Sequence, residues 1–230
     1  MKFSRLFLHR LLDQEAPSDT VVVVDVLRSF TTAAVALARG ARAIYPVDGI
    51  AAASTLLEAM PDALSVGAIG GGDPVPGFDF GNSPARLRQT DLSGRPIVIS
   101  TAAGVAGLQR FRQARHLYAA ALVNAAATAA AIRAVGSGDV CFVITGEWVD
   151  RDGDEDIACA DYIEALLCDQ TPDLASYTRR VRHSDFGRRF TAGTWPNLPL
   201  ADLELAEQAD LFDFAMPVHR ERGQLVIRQA

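Results

Sequence analysis

The sequence predicts an α/β protein: three layers, α/β/α, around a mostly parallel sheet, with a C-terminal β-hairpin. Strand-like and helix-like segments alternate about six times between residues 20 and 167. Val21-Val22-Val23-Val24 is an unbroken β-branched run, the pattern of a strand covered on both faces. Asp25, Thr101, Asn124 and the Glu147–Asp156 loop each follow a predicted strand, which puts them on the carboxyl rim of the sheet, where open α/β sheets bind ligands.

Residues 1–20 read as a strand or short helix followed by a polar loop around Pro17–Asp19. The strand at 21–25 leads into a helix at 30–39, which Ser29 can cap and Gly40 can end. A strand at 41–47 and a helix at 50–60 follow, stopped by Pro61. A third strand covers 63–67. The stretch from Gly70 to Pro84 is rich in glycine and proline, so it reads as a long loop with defined turns, ending in Asn82-Ser83-Pro84 as a helix start. Strands at 96–100, 116–122 and 139–145 alternate with helices reaching Arg112, Val135 and Leu167, and Gly136-Ser137-Gly138 breaks the second of these. Residues 173–182 and 200–209 look helical, and 214–228 read as a hairpin turning near Arg222-Gly223.

Composition narrows the function. The 230 residues read as one domain, 1–230, and 49% hydrophobic with 22% charged residues is ordinary for a globular chain. A net charge of −6 argues against general nucleic-acid binding. Lys2 is the sole lysine, which leaves no phosphate-loop or Schiff-base lysine in the body of the chain. Cys141, Cys159 and Cys168 form no Cys-x-x-Cys pair and read as buried apolar residues of a reducing compartment. No stretch has the length of a membrane span and the first residues lack a signal peptide's apolar core, so the expected location is cytoplasmic, without membrane partners. A homo-oligomer is left open. The four histidines lack zinc spacing, and G-x-G-x-x-G, G-x-x-x-x-G-K-[ST] and G-x-S-x-G are absent. The acidic loop 147–156 lacks the closing Glu of a calcium loop. The arginines between 179 and 189, with Phe186 and Phe190 among them, read as a solvated helix face.

The chemistry concentrates in Asp25-Val-Leu-Arg28-Ser29-Phe-Thr31-Thr32. A helix start offers free N–H groups to an anion, and Arg28 adds a planar fork for phosphate or carboxylate oxygens. Asp25 has the wrong sign for that task, which leaves it as metal ligand, nucleophile or base. Asp at a strand end is also a common cap or turn residue.

Five stretches, in order and at similar spacing, resemble the 2-phosphosulfolactate phosphatase family: Asp25-Val-Leu-Arg28-Ser29-Phe-Thr31-Thr32, Gly77-Phe-Asp79-Phe-Gly81-Asn82-Ser83-Pro84, Ser100-Thr101 with Gly104, Leu122-Val-Asn124, and Glu155-Asp156-Ile-Ala-Cys159. The resemblance implies a Mg²⁺-dependent hydrolase acting on a small phosphorylated anionic substrate, the phosphate monoester of a 2-hydroxy acid. It makes Asp25, Arg28, Asp79 and Glu155 catalytic candidates and Asp25, Asp79 and Asp156 metal candidates. Ser29, Thr31, Thr32, Asn82, Ser83, Thr101 and Asn124 become candidates for holding substrate. The chain departs from the family's pattern at Gly67-Ala68-Ile69 and at Thr101-Ala102-Ala103-Gly104-Val105, where more polar groups are expected. The alternative reading is therefore a catalytically impaired anion-binding or regulatory protein that keeps the fold.

Overall fold

The computed structural model describes residues 1–11, 19–70 and 72–230, so Pro17 and Ser18 of the expected polar loop, and Gly71, lie outside the described residues. The strands are β1 (Lys2–Phe7), β2 (Thr20–Val24), β3 (Ala43–Pro46), β4 (Leu64–Ile69), β5 (Asp73–Pro74), β6 (Phe80–Gly81), β7 (Pro96–Ser100), β8 (His116–Ala120), β9 (Asp139–Ile144), β10 (Met216–Glu221) and β11 (Gln224–Ile227). The helices are α1 (Ser29–Ala38), α2 (Ile50–Ala59), α3 (Pro84–Leu87), α4 (Gly104–Arg110), α5 (Ala125–Ala134), α6 (Asp154–Leu167), α7 (Leu174–His183), α8 (Asp185–Ala192) and α9 (Leu200–Ala206).

The strands form one sheet in the order β1-β9-β2-β8-β10-β11-β3-β7-β4-β5, with β6 beside β4. β1, β9, β2 and β8 pair in parallel, as do β3, β7, β4 and β6. The predicted hairpin is present, but it lies inside the sheet. β10 pairs antiparallel with β8 and β11 antiparallel with β3, joining the two parallel halves.

The valine run is continuous because both of its faces are covered. Val21 and Val23 pack on one side with Phe30, Val105 and Leu108 of α1 and α4. Val22 and Val24 pack on the other with Ala125, Ile132, Ile163 and Phe190 of α5, α6 and α8. Along a strand successive side chains alternate faces, so four consecutive valines serve two cores. The expected solvated helix face over 179–189 is corrected: the stretch spans the end of α7 and most of α8, and α8 packs against the core. Its Phe186 and Phe190 are buried, and its arginines face acids, such as Arg189 with Asp150 at 2.5 Å. Cys141 and Cys159 are buried as expected, but Cys168, at the end of α6, is exposed. No described helix is long and apolar enough to cross a membrane.

Candidate active site

The turn from β2 to α1 places the first carboxylate. Asp25 donates its N–H to Ala120 O at 3.2 Å, which continues the pairing with β8. Its Oδ1 accepts the Ser29 N–H at 2.9 Å. An otherwise unpaired N–H at the start of α1 is thus held by Asp25 rather than by a Ser29 cap, and Ser29 becomes the first helical residue. The freed Ser29 hydroxyl lies 2.9 Å from that of Thr101, which ties the turn after β7 to the turn after β2. A Cβ on Gly104 would stand 2.7 Å from Asp25 Oδ2, so glycine at the start of α4 keeps that oxygen clear. Burial raises the Asp25 pKa, while the Ser29 hydroxyl, the N–H groups of Ser29 and Gly104, and the Arg151 charge pull it back.

The first turn of α6 supplies two more carboxylates. Asp156 accepts the Val26 N–H at 2.8 Å, the Gly146 N–H at 2.7 Å, the Thr145 N–H at 3.1 Å and the Thr145 hydroxyl at 3.2 Å. It therefore clamps the end of β2 to the end of β9. Burial and the neighbouring Glu155 and Asp25 hold its pKa well above the usual carboxylate range. Glu155 is also buried, yet neither carboxylate oxygen has a hydrogen-bond partner of good geometry. Its pKa is pushed up to about 7 by burial, with Asp152 and Asp25 adding to the rise. The Ser184 hydroxyl, which already donates to Val181 O at 3.1 Å, offsets only part of this. A Cβ on Gly146 would reach within 2.5 Å of Glu155 Oε1 and 3.1 Å of Asp156 Oδ2, so another glycine leaves room at the acids.

Two guanidinium groups oppose these charges. Arg28 is buried against Asp202 of α9 at 2.8 Å and also donates to Asn197 O at 2.9 Å. Asp202 in turn accepts the Ser83 hydroxyl at 2.7 Å and the Ala85 N–H at 3.0 Å. Burial draws the Arg28 pKa down, and Asp202 and Asp25 draw it back up. Arg151 stands over the Phe186 ring at 5.1 Å, and its closest carboxylate contact among the described residues is with its neighbour Asp150 at 3.9 Å. Its field reaches Asp25.

A cavity of about 140 Å³ gathers Asp25, Arg28, Ser29, Asn82, Thr101 and Arg151, with Ala68, Ile69, Ala102 and Ala103 among its apolar lining. Glu155 and Asp156 are not among its lining residues, but each feels the Asp25 charge. Ser83 takes part indirectly, through Asp202. The other predicted residues serve elsewhere in the structure. The Asp79 carboxylate accepts the N–H and hydroxyl of Ser65 at 2.8 and 2.7 Å, pinning the long loop to β4. The Thr31 hydroxyl donates to Val26 O at 2.7 Å, the Thr32 hydroxyl is buried without a partner, and Asn124 Oδ1 accepts the Ala121 N–H at 3.0 Å. Asp202 and Arg151 were missed in the sequence. Arg151 had a signal, as a basic side chain in the middle of the acidic 147–156 loop.

Among the described residues no three His, Cys, Asp or Glu side chains form a ready metal cage. Mg²⁺ needs none, because it keeps waters and takes one or two carboxylates plus phosphate oxygens. Asp25, buried at the cavity with a raised pKa and with Oδ2 kept clear by Gly104, fits such a cation.

Comparison with known proteins gives the family. The family model described as 2-phosphosulpholactate phosphatase matches residues 6–189. A probable 2-phosphosulfolactate phosphatase of Carboxydothermus hydrogenoformans is 36% identical over 240 residues, covering 100% of this chain and 98% of the relative. One from Deinococcus radiodurans is 38% identical over 183 residues, 77% of this chain and 75% of the relative. One from Bacillus subtilis is 28% identical over 207 residues, 90% of each.

Proposed function

Because the chain belongs to the 2-phosphosulpholactate phosphatase family, we propose that it is a Mg²⁺-dependent hydrolase. Its substrate is the phosphate monoester of a small 2-hydroxy acid, of which 2-phosphosulfolactate is the type. The observation that carries this reading is one cavity lined by Asp25, Arg28 and Arg151, with the buried, unpartnered Glu155 within the field of Asp25. Acids and guanidinium groups converging on one space suit a phosphorylated anion together with a cation.

Asp25 would hold the Mg²⁺, which when bound neutralises phosphate charge and makes a bound water more acidic. Arg28, held by Asp202, and Arg151 bind the substrate's anionic oxygens. Ser29 and Thr101 offer hydroxyl groups to the same oxygens. Glu155, with a pKa near neutrality, accepts the proton of the attacking water. Water oxygen bonds to phosphorus, the bond from phosphorus to the C2 oxygen breaks, and that oxygen takes a proton from solvent water and leaves as the hydroxyl of the acid, while Glu155 returns its proton to solvent. The products are inorganic phosphate and the 2-hydroxy acid.

The test is phosphate release from 2-phosphosulfolactate and related esters with Mg²⁺ and with EDTA. Asp25→Asn should lower Mg²⁺-dependent turnover by about a hundredfold or more. Folded protein that releases no phosphate from any of these esters would overturn the reading. If it still binds the anions, the impaired anion-binding reading takes its place.

A further inference from the structure

A second cavity, of about 230 Å³, adjoins the first and shares Ala102, Ala103 and Arg151 with it. Leu8 and the two alanines give it an apolar floor, and Trp148 and His9, with ring centroids 5.4 Å apart, give it an aromatic wall. Its hydroxyl is already bonded and its imidazole stands beside a carboxylate. The Thr145 hydroxyl donates to Val24 O at 2.9 Å, and His9 Nδ1 lies 3.0 Å from Glu147 Oε2. Arg151, at the junction, is the cation common to both spaces. The turn that carries Trp148 is held to Arg151 by backbone bonds: the Trp148 N–H donates to Arg151 O at 3.0 Å and the Arg151 N–H to Trp148 O at 3.1 Å.

We propose that this cavity receives the side chain of the substrate, and that the preferred substrate carries an apolar, ring-sized group on the carbon next to its phosphorylated C2. The inference rests on the phosphatase reading and goes further, by naming the substrate's third substituent. An apolar cavity of about 150 Å³ is enough to hold benzene, so the second space exceeds what a phenyl group needs. Its hydroxyl is engaged, its imidazole faces the Glu147 carboxylate, and among the described lining residues the one guanidinium is Arg151, which the first cavity shares. An apolar group loses nothing there and leaves water.

The test compares kcat/KM for the phosphate esters of lactate, sulfolactate and 3-phenyllactate. The phenyl ester should exceed the methyl ester by about tenfold or more. Trp148→Ala should remove that advantage, bringing the phenyl-to-methyl ratio of kcat/KM close to one, since Trp148 walls the second cavity and not the first. A second readout does not depend on turnover. The chain has two tryptophans, so Trp195→Phe leaves Trp148 as sole reporter, and 3-phenyllactate should quench its fluorescence saturably. Equal kcat/KM values, or a preference for the sulfonate, together with no quenching overturn the side-chain cavity and leave the phosphatase standing. Quenching without hydrolysis of any ester supports the cavity and overturns the phosphatase. Neither quenching nor hydrolysis overturns both.

Discussion

Replacing Glu155 with Gln should make the protein more stable and inactive at once. The carboxyl is buried with neither oxygen partnered, and its pKa stands at about 7 against an ordinary 4.5. At about 1.4 kcal/mol per pKa unit, ionising it in the folded state costs about 3 kcal/mol more than in the unfolded chain. The sign follows from the direction of the shift. Between pH 4.5 and 7 the folded state holds a proton that the unfolded state releases, so stability falls as pH rises through that window. Below it both states are protonated and the penalty vanishes, while above it the whole penalty is present. Gln cannot ionise, and it also spares Asp156 and Asp25 a neighbouring charge. The variant should therefore exceed the parent by about 1–3 kcal/mol at pH 8 and match it at pH 4.5. At about 2–4 °C per kcal/mol for a chain of this size, that is a rise of up to about 10 °C in Tm. Urea unfolding at both pH values, in EDTA, measures the difference. A variant that is less stable at pH 8, or one whose difference is the same at both pH values, would refute the reasoning. Turnover should fall by about a hundredfold or more, since the proton acceptor is gone.

Asp202→Ala should destabilise the protein by about 3–5 kcal/mol in chemical denaturation, because Arg28 is left as a buried cation without its carboxylate. Asp79→Ala should cost about 1–3 kcal/mol in the same assay but change kcat/KM by less than about threefold, since its bonds go to Ser65 rather than into the cavity. A hundredfold loss of kcat/KM there would return Asp79 to the reacting groups. Gly104→Ala, whose methyl would stand 2.7 Å from Asp25 Oδ2, should reduce phosphate release by about tenfold or more while circular dichroism shows the fold retained.

Much of the fold was legible because its local and global signals agree. The valine run, the alternation of strands and helices, and Gly40 with φ +92 at the end of α1 each have a local cause that the tertiary structure preserves. The position of the hairpin was not legible, because nothing in β10 or β11 states which strands will flank it. At the site, Asp25 and Arg28 could be read because they share one strand-to-helix turn. Asp202 could not, since it reaches Arg28 from 174 residues away through a helix with no motif. Asp79 and Asn124 sit in stretches that resemble the family, yet their side chains bond to local backbone and hydroxyl groups. A motif marks a position, and which way its side chain turns is decided by packing. Arg151 shows the reverse: it lies in a loop whose acidic composition invited attention to the carboxylates alone.

The antiparallel pair β10–β11 gives the protein an assembly order. Each half-sheet exposes a raw edge, β8 on one side and β3 on the other, until residues 216–227 insert between them. Those residues leave the ribosome after every strand they join, so a nascent chain that has passed β9 carries two unsealed parallel half-sheets until β10 and β11 emerge. Unpaired strand edges are where chains adhere to one another. The wedge therefore acts as a late seal: while it is delayed or missing, the half-sheets are exposed to pairing with the wrong partner.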